Sequence, residues 1–118
     1  KIQCVGWISS DEAYRYFLAA DLGVFPGTHS VLWEQAVACG LPCIFKHWTG
    51  MEHVDVGGNA ILLDEPVDEA AYADSLEQVI ARLMERNDDY EKMCRVAREK
   101  GVKEFSYNEI ARRAIAAD

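Results

Sequence analysis

The sequence predicts an α/β fold, in which a parallel sheet of about four strands carries flanking helices and the chain ends in further helices. Along the first half, short apolar runs rich in β-branched and aromatic residues alternate with amphipathic helical patterns. Beyond Pro66 only helical patterns follow. Strands that alternate with helices generally pair in parallel, and the helices then cover the faces of the sheet.

Composition indicates a single domain over residues 1–118 and excludes several functional classes. The 118 residues are 50% hydrophobic and 27% charged, which is enough for one modest core. A net charge of −8 argues against a nucleic-acid partner, which requires a basic surface. The four cysteines lack zinc-ligand spacing, so we expect free thiols in a reducing, cytoplasmic setting. Peripheral attachment of a longer parent protein to a membrane is left open.

The first strand is predicted over residues 2–8, where apolar side chains predominate. A capping box formed by Ser9 and Glu12 then opens the first helix. The inward face of that helix is predicted to carry Tyr14, Phe17 and Leu18. Trp7 and Trp33 are assigned to the core or its rim, and so is Trp48, although its loop borders the predicted pocket and leaves a stacking role open.

The central stretch, residues 22–44, has the pattern of a strand, a tight loop, a helix and a second strand. The apolar residues 22–25 end at the turn formed by Pro26 and Gly27. Ser30 is the expected N-cap of the helix, and Gly40 is the expected stop. Because this loop leads from the carboxyl end of a parallel strand into a helix N-terminus, we expect its backbone amides to bind a phosphate.

The remaining chain is predicted to form a loop over residues 47–58 with a short helix near 52–55, a strand over 61–63 and three helices. The strand should end before Glu65 and Pro66, and the first long helix, capped by Asp68, should break at Asn87 and Asp88. Gly101 should end or bend the second helix, and a capping box of Ser106 and Glu109 should open the third. Inward residues of the first and third helices are predicted as Tyr72, Leu76, Val79, Ile80, Leu83, Met84, Ile110, Ala114 and Ile115.

His47, Glu52 and His53 lie close together in the sequence of the polar loop. Their spacing matches no compact helical zinc motif such as H-E-x-x-H, and no cysteine lies nearby. No metal site is therefore predicted.

Residues 19–44, AADLGVFPGTHSVLWEQAVACGLPCI, resemble the donor-binding core of family-4 GT-B glycosyltransferases. That core has an aspartate-led strand ending in Pro-Ser, a glycine-bearing loop, a helix containing EAMACG, and then PVI. Three further segments are similar to the same family, namely VGWISSDEAYRYFLAADL, NAILLDEPVD and FSYNEIARR. The resemblance therefore extends over essentially the whole chain.

The resemblance implies a Rossmann-like, C-terminal part of a two-domain glycosyltransferase. Such an enzyme moves a sugar from a nucleotide-sugar donor, such as a UDP- or GDP-sugar, to an acceptor hydroxyl, with no cofactor and usually no bound metal. Glu34 matches the family's second E-x7-E glutamate, which accepts hydrogen bonds from the ribose hydroxyls. The loop whose amides hold the diphosphate matches Thr28, His29, Ser30 and Val31. The next loop, near the base or sugar, matches Thr49, Gly50 and Met51.

Two departures from the family pattern bear on activity. The family's first glutamate falls at Pro26 by count, so no catalytic residue is assigned. The family's basic pair and its acceptor domain would lie upstream of Lys1, so we expect this chain to be an inactive fragment of a longer parent. The strand at residues 2–8 would then lack its usual neighbour, and we expect it to dock beside residues 22–25 or to pair with a second copy in a homodimer through an exposed sheet edge.

Other interpretations remain open from the sequence. The same fold would suit a non-catalytic interaction module, or half of a sugar-nucleotide epimerase-like domain. Glu34 in the first helical turn also fits a surface carboxylate that complements the helix dipole.

Overall fold

A computed structural model describes residues 1–64, 68–85 and 88–116. It has the expected α/β class, but within those ranges the parallel sheet has three strands, in the order β1-β2-β3. They are β1 (Gly23–Phe25), β2 (Cys43–Lys46) and β3 (Ala60–Leu63). Because the strands are parallel and in register from Val24 to Ile44 to Ile61, their carboxyl ends share one edge. The turn predicted at Glu65 and Pro66 and the break predicted at Asn87 lie outside the described residues.

Helices surround this sheet: α1 (Ser10–Ala19), α2 (Val31–Ala38), α3 (Glu69–Met84), α4 (Asp88–Val96), α5 (Val102–Glu104) and α6 (Tyr107–Ala116). A 3-10 turn, Glu52–Val54, precedes β3, and a π-helical turn, Ala97–Gly101, joins α4 to α5. The side chains of Ser9, Asp68 and Ser106 accept backbone hydrogen bonds at three helix starts, which confirms the predicted caps. Within the described ranges, no helix combines the length and hydropathy that a membrane span requires.

Alternating side chains of β2 separate two cores. Phe45 and Cys43 pack on one face of the sheet with Trp33 and Val37 of α2. Ile44 points to the opposite face and packs with Leu83 and Met93 of α3 and α4. Helices on both faces therefore hold the central strand and position the loops at its carboxyl end.

The segment before α1 does not form the predicted strand. Ile2 and Trp7 are 93% and 104% exposed, so the assignment of Trp7 to the core or rim is wrong. Gly6 has φ of +69°, a left-handed conformation that interrupts extended backbone. No described strand pairs with the outer edge of β1, so the docking predicted beside residues 22–25 is also wrong. Pairing with a second copy stays a prediction.

Several residues predicted to face inward are exposed, because only part of the apolar face of each helix packs against the domain. Leu18 of α1 and Met84 at the end of α3 are 71% and 62% exposed. Helix α6 buries none of its described residues, and Ile110, Ala114 and Ile115 all face solvent. Periodicity alone marks an apolar face, whereas burial also requires a neighbouring element at that place.

Two glycines allow close packing against α2. Gly40, at φ of +76°, ends this helix as predicted and reverses the chain towards β2. Gly101 does not end its helix; it lies within the π-helical turn, where an added Cβ would stand 3.1 Å from the carbonyl oxygen of Val37. The chain from α4 to α5 thus crosses α2 at a very short distance.

Candidate functional site

The loop between β1 and α2 presents free backbone donors at the carboxyl edge of the sheet. No described residue accepts a hydrogen bond from the amides of residues 28–31. Ser30 occupies the N-cap position, but its side chain makes no capping hydrogen bond. Thr28, Ser30 and Val31 are exposed and His29 is half-buried. The helix start therefore keeps the unpaired N–H groups that suit an anion.

The loop after β2 lies beside the loop after β1. The indole N–H of Trp48 donates to the carbonyl of Gly27 over 3.1 Å, which joins the two loops. Of the three residues predicted here, Thr49 and Gly50 are exposed, and Met51 packs against the core around Trp33. The structure thus brings the two predicted loops together at one edge.

Glu34 lies in the first turn of α2 and accepts two hydrogen bonds on one oxygen. His29 Nε2 is 2.6 Å from Glu34 Oε1, and His53 Nε2 is 2.7 Å from the same atom. Val54, fully buried against Trp33, anchors the 3-10 turn and so carries His53 to this position. The three side chains come from the first loop, α2 and the second loop, and they converge on a single point.

The environment of Glu34 favours its ionised form. Burial raises the pKa of this carboxyl, but hydrogen bonds from His53 and His29 lower it, and the net pKa is below the ordinary 4.5. The second oxygen, Oε2, is buried and has no hydrogen-bond partner among the described residues. A buried acceptor without a partner costs roughly 1–3 kcal/mol, so this atom is a natural place for a ligand donor.

Aromatic side chains hold the two imidazoles in place. His29 meets Trp33 edge-on at 5.1 Å between ring centroids, and His53 meets Phe105 edge-on at 6.1 Å. A cavity of about 220 Å³ adjoins Glu34 between α1, α2 and α6, with Tyr14 and Phe105 in its lining. Ligand pockets usually measure roughly 300–1,000 Å³, so this cavity has room for only part of a ligand.

The third histidine, His47, forms a separate cluster at the carboxyl end of β2. Its Nε2 is 3.0 Å from Glu52 Oε1 and its Nδ1 is 2.5 Å from Asp64 Oδ1. Hydrogen bonds to Glu52 and then Asp64 raise the pKa of His47 against a smaller opposing effect of burial. The carboxylates bind opposite ring nitrogens, so their oxygens do not converge on a shared point.

Family models, curated proteins and solved structures were compared with this chain, and none matched. The residues themselves therefore carry every functional argument. The eight predicted donor-site residues lie in the two joined loops and the first turn of α2, but their proposed roles stay predictions.

Sequence reasoning missed the contact of Glu34 with both His29 and His53. The sequence did contain a signal for this contact. His29 lies in the connection after β1 and His53 in the connection after β2, and these two strands are parallel neighbours. Such loops meet at one edge of a sheet. The cluster of His29, Glu34 and His53 can accept a hydrogen bond from a ligand hydroxyl, bind a cation or exchange protons.

Proposed function

We propose that this chain binds the nucleoside diphosphate of a nucleotide sugar, and that it supplies part of the donor site of a glycosyltransferase. The observation that carries this proposal is the buried, unpartnered Oε2 of Glu34, one helical turn from the free amides of residues 28–31. A nucleoside diphosphate has vicinal hydroxyl donors and an anionic group in one molecule, so it would supply a partner for the carboxylate oxygen and another for the amides.

The free amides are the proposed diphosphate site. The eight-residue helix α2 directs its N-terminus, with about half a positive charge, to the carboxyl edge of the sheet. Because the chain carries a net charge of −8, long-range attraction does not explain anion binding, and local donors must supply it. His29, the only half-buried residue of the four, directs its Nε2 to Glu34, so the backbone amides are the proposed donors to the phosphate.

Glu34 is the proposed ribose acceptor. Its Oε1 is engaged by two imidazoles, whereas Oε2 retains its full accepting capacity. Rotation about the terminal side-chain bond is broad and two-fold for a carboxylate, so a turn of the group would offer Oε2 to a ligand hydroxyl while it lengthens the contacts of Oε1 with the imidazoles. The imidazoles hold the carboxylate ionised, which strengthens hydrogen bonds from hydroxyls.

The finer fold assignment belongs to this proposal. Three parallel strands in sequential order, with helices on both faces, are compatible with a Rossmann-like, GT-B-type half-domain. We propose that sugar transfer is the activity of a longer parent, in which another domain binds the acceptor. Helix-terminus donors would then stabilise the departing diphosphate, the group on which charge develops.

The decisive experiment compares ribose and deoxyribose nucleotides by calorimetry. We expect UDP or GDP to bind more tightly than its 2′-deoxy form, and Glu34→Gln to remove that preference. Loss of a hydrogen bond to a charged acceptor should cost about 1.5–3 kcal/mol. Binding of free pyrophosphate, which has no ribose, should be unchanged in Glu34→Gln.

The matched control is Glu77→Gln, which alters an exposed carboxylate on α3. It should preserve both nucleotide affinity and the ribose preference. Equal losses of pyrophosphate and nucleotide binding in Glu34→Gln would contradict the ribose role. An absence of binding for every nucleotide tested would favour the interaction module, and turnover of a nucleotide sugar to its epimer without acceptor would favour the epimerase-like domain.

A further inference from the structure

We propose that His29, Glu34 and His53 form a binding site for a divalent first-row transition metal ion, with zinc as the best-suited ion. This inference does not depend on the nucleotide proposal. It depends on three side chains whose ligand atoms lie within 4.8 Å of one another. Such a two-histidine, one-carboxylate set is a common protein site for zinc and for ferrous iron.

The distances suit an ion after a small expansion of the cluster. Nε2 of His29 and Nε2 of His53 lie 2.6 and 2.7 Å from Glu34 Oε1. Zinc bonds of about 2.0–2.1 Å in tetrahedral geometry place ligand atoms about 3.3 Å apart. The carboxylate oxygen would withdraw from each imidazole by less than about 1 Å, and the two imidazole nitrogens, which lie within 4.8 Å of each other, would adjust to the same spacing as three metal bonds replace two hydrogen bonds.

The proton balance of this exchange is simple for neutral imidazoles. Each ring now donates a proton from Nε2 to Glu34, and metal binding requires the Nε2 lone pair. The proton therefore moves to Nδ1 of the same ring, and Nε2 binds the ion with no net proton release. An imidazolium would instead lose one proton to solvent, so affinity should fall at acidic pH.

The surroundings favour a cation and hold the ligands in place. The net charge of −8 raises the local concentration of cations near the chain. Trp33 and Phe105 contact the two imidazole rings edge-on, and the helix α2 holds Glu34. The side chains of His29 and His53 are 30% and 43% exposed, so an ion can reach both imidazoles from solvent.

The experiment titrates chelator-treated protein with Zn²⁺ by calorimetry, and with Co²⁺ by absorption spectroscopy, both without nucleotide. We expect one ion per chain and a cobalt spectrum without a thiolate charge-transfer band. His29→Ala and His53→Ala should each weaken binding at least about 100-fold, because removal of even a supporting outer-shell partner costs about 10–100-fold. Affinity should also be lower at pH 5 than at pH 7.5.

The matched control is His47→Ala. This change removes an imidazole that also contacts two carboxylates, but the two carboxylates bind opposite nitrogens of the ring and share no common point. Its metal affinity should equal that of the unmodified protein. If His29→Ala fails to fold, His53→Ala carries the test, since its ring is the more exposed. Three outcomes would overturn the proposal. They are an absence of saturable metal binding, a thiolate charge-transfer band in the cobalt spectrum, and a loss of metal affinity in His47→Ala equal to that in His53→Ala. Because no nucleotide is present, none of these outcomes bears on nucleotide binding, and a failure of nucleotide binding leaves the metal result intact.

Discussion

The indole N–H of Trp48 donates to the backbone carbonyl of Gly27 over 3.1 Å, across 21 residues of sequence. This contact joins the loops that follow β1 and β2. It closes the carboxyl edge of the sheet at the point where the candidate site begins.

Replacement of Trp48 by Phe should loosen this edge. The substitution keeps an aromatic ring beside Lys46 but removes the N–H donor. We expect the free energy of unfolding to fall by about 0.5–1.5 kcal/mol, the usual net value of one hydrogen bond. Hydrogen exchange measured by mass spectrometry should become faster in residues 26–30 and 47–51. Trp7→Phe is the matched control, since Trp7 is fully exposed, and acceleration of both loops in that variant would contradict the assignment.

Trp33 should be far more important for stability than Trp7. Trp33 is 1% exposed and stacks on Phe45 at 4.6 Å between ring centroids. Its replacement by Ala should cost about 3–5 kcal/mol, the range observed for large aromatic truncations in cores. Trp7→Ala should change stability by no more than about 0.5 kcal/mol. Urea denaturation of both variants tests this difference, and similar midpoints would show that the described core is incorrect.

The cluster of His47, Glu52 and Asp64 should make the stability of residues 47–55 decrease as the pH rises. Hydrogen bonds to Glu52 and Asp64 raise the folded pKa of His47 above its ordinary 6.5. A group with a raised folded pKa stabilises the fold fully below its unfolded pKa, and that contribution disappears as pH rises through the folded pKa. NMR titration of the ring should therefore give a midpoint above 6.5, with smaller hydrogen-exchange protection factors, corrected for the intrinsic pH dependence of exchange, in residues 47–55 on the alkaline side.

The matched variant for that titration is Glu52→Gln. It removes the partner with the largest effect and should shift the His47 midpoint towards its ordinary value, while Asp64 retains part of the increase. An unchanged midpoint in Glu52→Gln, or a midpoint below the ordinary value in the unmodified protein, would show that the hydrogen bonds to the ring are absent in solution.

Local signals in the sequence predicted the backbone of the site well. Ser9, Asp68 and Ser106 cap their helices because a short polar side chain can reach the amide three residues ahead, although Ser30 at the start of α2 makes no such bond. Gly40 ends α2 because a left-handed residue is needed there. These effects involve only nearby residues, so the pattern of the sequence suffices to find them.

Long-range relationships were less accessible. The approach of His53 to Glu34 depends on the burial of Val54 beneath Trp33, which no local pattern reveals. The failed strand at residues 2–8 illustrates the same limit, because an apolar segment forms a strand only where a partner edge receives it. Likewise α6 has a helical pattern, but it buries none of its described residues.

The π-helical turn at Ala97–Gly101 amounts to one additional residue within an otherwise continuous helix. A π-helical turn accommodates its extra residue locally, so the helix beyond it keeps its direction and its facing. Removal of a single residue here should therefore restore regular winding and leave Phe105 beside His53 and Tyr107 at the cavity that adjoins Glu34. What the additional residue alters is the turn itself, the place where Gly101 lies closest to the carbonyl oxygen of Val37.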